Sequence, residues 1–255
     1  MRAFSAFLRK ELTAQKRTGK LYILAAAAVI LGILAPATAK LLPKLLEAVG
    51  TEGSGMTITL GEVTAFSSFQ QFFGNASMGL IAFLAVEAGI LTGEYRSGTL
   101  VLALTKGLPR SKVIAAKTLT LVLIWSVFWW ISFGISYGFT AFYWSMDTVS
   151  HPLFAGFAYW LFGMMMTAVI LLFSSFSKGI GGVVGGLAGV YFGYTLLGMI
   201  PKLGKYLPVK LTAPDALMKG SEQIGDILPA VIITAAATAA ALTAAYIIFG
   251  RRSMD

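Results

Sequence analysis

The chain has 255 residues, of which 57% are hydrophobic and 12% charged, with a net charge of +9 and a mean hydropathy of +0.79. Soluble domains carry roughly 25% charged residues, so this composition excludes an ordinary soluble protein and leaves too little polar sequence for a second, soluble domain. The surplus Lys and Arg lie beside apolar runs, where anionic lipid and topology account for them without nucleic acid, and the lack of cysteine excludes disulfides, thiolate nucleophiles and sulfur-ligated metals.

Residues 1–20 read as an amphipathic helix. At about 100° per residue, Phe4, Phe7, Leu8 and Leu12 share one face with Ala14 at its edge, and Arg9, Lys10, Thr13, Lys16, Arg17 and Lys20 share the other. Such a helix lies flat on the cytoplasmic leaflet, either as a lipid anchor or as a docking element. Glu11 and Gln15 fall inside the apolar arc, so they must snorkel, pair with a neighbouring polar group or face a protein partner.

A membrane-crossing helix needs about 20 mostly apolar residues. Six runs qualify, at about residues 21–39, 72–91, 119–143, 153–176, 180–200 and 228–250, which predicts one all-α integral membrane domain over residues 1–255. The first run also has the length of a signal-peptide core, with Ala37-Thr38-Ala39 resembling a cleavage site. The long patterned leader, and the even span number that cleavage would destroy, favour a retained span. The third helix is predicted to start near Val113 and run roughly 46 Å, projecting its first turns into the cytoplasm. Only Ser177–Gly179 separates the fourth and fifth spans, which must form a tight antiparallel hairpin.

Six spans place fourteen Lys and Arg residues on one side and six on the other, and the richer side is expected to be cytoplasmic, with both termini there. Long outer loops are expected over residues 40–71 and 201–227, the latter broken by Pro201, Pro208 and Pro214 into short turns around residues 203–207 and 216–218.

Catalytic motifs are sparse. His151, the one histidine, has no ligand or triad partner in its outer loop, and reads as a surface residue. Gly19-Lys20 and Gly204-Lys205 lack the rest of a phosphate-binding loop, so no ATPase is expected in this chain and no cofactor, metal or catalytic residue is assigned. Asn75-Ala76-Ser77 matches a glycosylation acceptor at a span's outer end and is given no role. Glu87 is the one clear carboxylate inside an apolar run, about one turn from the cytoplasmic end, and both a structural anchor and a transport role fit it.

Between the second and third spans, Thr99 is placed to cap a short helix rich in Leu and Val, Gly107 and Pro109 to end it, and Ser111 to cap the long helix. So short an apolar helix needs support, from a partner groove or the membrane surface. In the fifth span, Gly181, Gly185, Gly189 and Gly193 recur every four residues, with Gly182 and Gly186 beside them. That spacing marks a face on which another backbone can approach closely. The fourth span or the small-faced sixth, with Ala235–Ala237 and Ala239–Ala241, can supply the opposing surface within the chain, and a second chain can do so equally.

Lys10-Glu11-Leu12, Glu94 followed by Gly98-Thr99-Leu100, and then Lys106, Arg110 and Lys117 resemble the membrane subunits of type 2 ABC exporters. The architectural likeness covers the chain, and the motif itself about residues 87–117. It departs at Gly107, where the family often has Pro, and at Pro109, where it often has Ser. The resemblance implies a permease lacking its own ATPase, with ATP and Mg on a separate ATP-binding-cassette subunit. The segment Glu94–Thr105 would be the coupling helix, with Glu94, Gly98, Thr99, Leu100, Leu104, Lys106 and Arg110 as the coupling residues. It also implies pairing with a second permease copy or a paralogue, with the second and fifth spans at the dimer interface around the pathway. Phe72, Phe73, Tyr191 and Tyr194 hint at an amphipathic cargo. A secondary carrier would need ion-pairing residues at mid-membrane, of which there are almost none; a scaffold or anchor without transport remains a rival reading.

Overall fold

The computed structural model describes residues 2–50, 63–105 and 107–252, and among these the regular structure is helical, with no strand. In chain order the helices are α1 (Arg2–Arg17), α2 (Lys20–Gly50), α3 (Ala65–Glu87), α4 (Thr92–Ser97), α5 (Thr99–Thr105), α6 (Arg110–Tyr143), α7 (Pro152–Phe176), α8 (Ile180–Gly198), α9 (Pro201–Gly204), α10 (Asp215–Met218) and α11 (Ile224–Arg251). Short 3-10 turns occupy Met146–Thr148 and Pro208–Thr212. Six of these helices, α2, α3, α6, α7, α8 and α11, are long and apolar enough to cross a membrane. Lys106 and residues 51–62 lie outside the described residues, as do the side chains of residues 2–3, 42–50 and 103.

The predicted spans are found, with several ends shifted. The first helix passes Pro36 and residues 37–39 without interruption and continues to Gly50, and α3 starts at Ala65, so helix takes up much of the expected outer loop. Hydropathy alone starts the second span at Phe72 because Ser67, Ser68, Gln70 and Gln71 depress the average. A reciprocal capping box between Thr64 and Ser67 starts the helix earlier. The same device, Gln223 with Asp226, starts α11 at Ile224. Pro109 rather than Ser111 caps α6, whose 34 residues span about 51 Å against a hydrocarbon core of about 30 Å. Asn75-Ala76-Ser77 lies within α3, with Ala76 buried, and not at a span's outer end.

The bundle centres on α7, the most deeply buried of the six long helices, whereas α8 and α11 are mostly exposed at its periphery. The core is a column of aromatic rings on α6. Trp125, Trp129 and Phe133 stack in turn, Phe72 and Phe73 close on them from α3, and Tyr159 lies parallel to Trp129 at 4.5 Å. Phe72 and Phe73 are therefore core residues, not the lining of a pathway. In a medium without water the indole N–H groups need internal acceptors: Trp125 donates to the Trp160 carbonyl and Trp129 to the Gly156 carbonyl, both at 2.9 Å. Glycine makes this closeness possible. A Cβ at Gly163 would stand 1.9 Å from the Trp125 ring, and one at Gly156 2.9 Å from Phe133.

At the end away from the leader, Leu211, Leu217 and Met218 are buried beneath the bundle's edge, and the Ser150 amide donates to the Met218 carbonyl. The expected short turns of residues 201–227 are thus real helical turns: α9 packs on α8, Pro208–Thr212 on α7, α8 and α11, and α10 on α7. His151 is exposed there, in a left-handed conformation ahead of α7.

Candidate functional site

The leader α1 is docked on the bundle. Phe7 is buried, Phe4 and Leu8 pack against the core, and the helix rests on α6 and α2. The two polar residues inside its apolar arc explain this placement. Glu11 accepts a 2.6 Å hydrogen bond from Lys117 of α6, a lysine only 2% exposed, and the Gln15 amide donates to Glu87 of α3 at 2.7 Å. Of the three fates open to Glu11 and Gln15, pairing with neighbouring polar groups is the one realised.

These contacts belong to a larger cluster. Lys117 lies 3.1 Å from Glu94 Oε2, a charge contact without hydrogen-bond geometry, and Lys10 bonds both Glu94 and, at 3.0 Å, Glu11. Lys20 approaches Glu87 to 3.7 Å. Three lysines and three carboxylates from four helices and the start of α2 thus balance at one end of the membrane domain. Burial works against the Lys10 ammonium, but hydrogen bonds and attraction from Glu94 and Glu11 outweigh it and hold its pKa above the ordinary lysine value. Removing one member of such a buried pair leaves an uncompensated charge. Glu87 is fully buried here and faces Gln15 and Lys20.

The segment after Glu87 folds as two short helices, not one. Gly98, at φ +67°, ends α4 in the left-handed region that glycine adopts without cost, and Thr99 opens α5. Glu94 therefore sits on α4, inside the charge cluster, while Leu100 and Leu104 sit on α5. Leu100 is completely buried within this chain and Leu104 packs against the core, whereas Val101 is 38% and Leu102 62% exposed. The outward apolar face of α5 is thus Val101 and Leu102.

Two arginines hold the far side of this platform, Arg110 from the motif and Arg252, which no motif singles out. Arg252 donates to the Ser175 and Ser177 carbonyls at 3.0 and 3.2 Å, at the C-terminal end of α7, and its guanidinium lies 4.1 Å from the Tyr95 ring. Arg110 donates to the Gly250 and Arg252 carbonyls at the end of α11. Both cations meet the negative ends of helix dipoles and supply donors to carbonyls that the helices cannot satisfy themselves. The leader, the α4–α5 loop, the α7–α8 turn and the C-terminal end of α11 therefore lie together at one end, the basic one.

The glycine ladder of α8 has no partner within the described residues: a Cβ at Gly181, Gly185, Gly189 or Gly193 would meet nothing within 4 Å. An internal seam along the ladder with α7 or α11 is thereby excluded. The tight contacts on α8 belong to its neighbours, Gly186 against Phe173 and Gly182 against Ser177. Beside the ladder, α8 and α3 leave a cleft of about 280 Å³ lined wholly by apolar and aromatic side chains, among them Leu84, Leu187 and Tyr191.

No curated protein matches the chain at a significant level. Residues 5–254 match the family described as ABC-2 family transporter protein, which takes in the leader, the loop helices and all six candidate spans, and the chain belongs to that family.

Proposed function

We propose that the chain is the transmembrane permease subunit of an ATP-binding-cassette exporter in the cytoplasmic membrane, with ATP and Mg bound and hydrolysed by a separate subunit. The basic end faces the cytoplasm, in keeping with the Lys/Arg asymmetry and with both termini at that end. The observation that carries the reading is the outward face of α5: two exposed apolar residues, Val101 and Leu102, on a helix that follows directly from α4, whose Glu94 is held by charge contacts to Lys10 of α1 and Lys117 of α6. A clamped platform can transmit a push from a partner into the spans, where a loose loop cannot. The shallow hollow beside it, bordered by Leu104, Leu108 and Arg110, suits a partner's knob.

The open glycine ladder supports pairing with a second permease copy or a paralogue along α8, and the α3–α8 cleft supports a pathway for an apolar or amphipathic substrate between the second and fifth spans.

Burial redirects the test of coupling. Charges at Leu100 or Leu104 would damage the chain's own packing, whereas Val101→Asp and Leu102→Asp change only the outward face. The double variant is expected to insert and remain folded, yet to lose the ATP-binding subunit on co-purification and to stop ATP-dependent transport. Full retention with undiminished coupled transport would refute the assignment.

A further inference from the structure

A groove of about 170 Å³ opens on the outer surface of the bundle between α1, α2 and α6 and shares no lining residue with the α3–α8 cleft. Leu24, Ala28, Ile124 and Phe128 form its floor and Ala25 and Val127 stand at its rim, with no polar side chain in its lining. Its α6 wall runs from Leu123 to Ile131, eight steps of about 1.5 Å, or about 12 Å. Half of a hydrocarbon core of about 30 Å is about 15 Å, so the groove has the length of a single leaflet.

Its upper end is closed by Leu12 of the leader. Arg9 and Lys16, one turn before and one turn after Leu12 and just across the boundary between the apolar and polar faces of α1, are exposed, and no carboxylate among the described residues pairs with either. The leader's other lysine on that stretch, Lys10, is already held by Glu94 and Glu11. An apolar slot one leaflet deep beneath two free cations at headgroup height matches a single ligand chemistry, a hydrocarbon chain ending in an anionic phosphate.

We propose that this groove is a binding site for an anionic phospholipid, with one acyl chain along α2 and α6 and the headgroup phosphate held by Arg9 and Lys16. The site does not depend on the transport reading. Each cation near an anionic headgroup favours it roughly fivefold over a zwitterionic one. Bound there, the lipid bridges the leader to the first and third spans on the face opposite the charge cluster, so both faces of α1 are secured.

The test is native mass spectrometry of the purified full chain with phosphatidylglycerol and phosphatidylcholine of identical acyl chains. The wild type is expected to retain one phosphatidylglycerol at least tenfold more strongly than phosphatidylcholine. Arg9→Gln with Lys16→Gln should bring the two lipids level. Ala25→Phe, or Val127→Trp as an independent rim substitution, fills the slot from an exposed position and should abolish retention of both while circular dichroism stays unchanged. Equal retention of the two lipids by the wild type would overturn the proposal, as would phosphatidylglycerol retention that survives both groove-filling variants.

Discussion

Lys117 is the residue on which the docking of the leader turns. It is 2% exposed, and its ammonium serves Glu11 at 2.6 Å and Glu94 at 3.1 Å. Lys117→Met leaves two carboxylates in a poorly hydrated site, and breaking a buried pair in this way costs about 3–5 kcal/mol. The variant should show a clearly lower thermal midpoint in detergent, and adding Glu11→Gln and Glu94→Gln should restore most of the loss, because the stranded charges are then gone. A loss no larger than that from Arg17→Gln on the exposed face would contradict this role. Half of the arrangement is legible in the sequence. Glu11 and Gln15 are visible misfits on an apolar face, which signals partners, but Lys117 is 106 residues away and no local periodicity names it. Arg252 is less legible still, because its partners are backbone carbonyls, which leave no trace in residue identity.

At the scale of elements, glycine shows how far spacing can be read. A four-residue repeat says that one face of α8 is small, and it does not say what meets that face. The chain's own close approaches occur instead at single glycines: Gly163 under Trp125, Gly156 under Phe133 and Gly32 against Ser132 and Ile135. The two kinds separate experimentally. Gly163→Ala forces a Cβ into the indole and should destabilise the fold by about 1–3 kcal/mol or more, read as reduced yield and a lowered midpoint. Gly185→Leu adds a side chain in open space, so the monomer should melt as the wild type does while the paired species disappears from cross-linking in membranes. Normal pairing and transport by Gly185→Leu would make the ladder an accident of composition. Helix ends follow the same lesson: hydropathy finds the six spans, while the capping pairs Thr64–Ser67 and Gln223–Asp226 set where two of them begin.

At the scale of the whole molecule, a centre built on α7 and the aromatic column of α6 leaves α8 and α11 at the periphery, and a charge cluster at one end ties the leader and the α4–α5 loop to the spans. The number of spans and the placing of both termini at one end follow from length, hydropathy and charge. The inward turn of Leu100 does not, because both faces of α5 are apolar and only packing decides between them. The central claim is that the outward face of α5 receives an ATP-binding subunit. Its most direct test is a photo-reactive amino acid placed singly at Leu102, at Leu100 and at Lys210, irradiated in membranes containing the cognate ATP-binding subunit. The account predicts a cross-link to that subunit from position 102 and none from position 100 or 210. Cross-linking from 210, or none from 102 while ATP-driven transport proceeds, would contradict it.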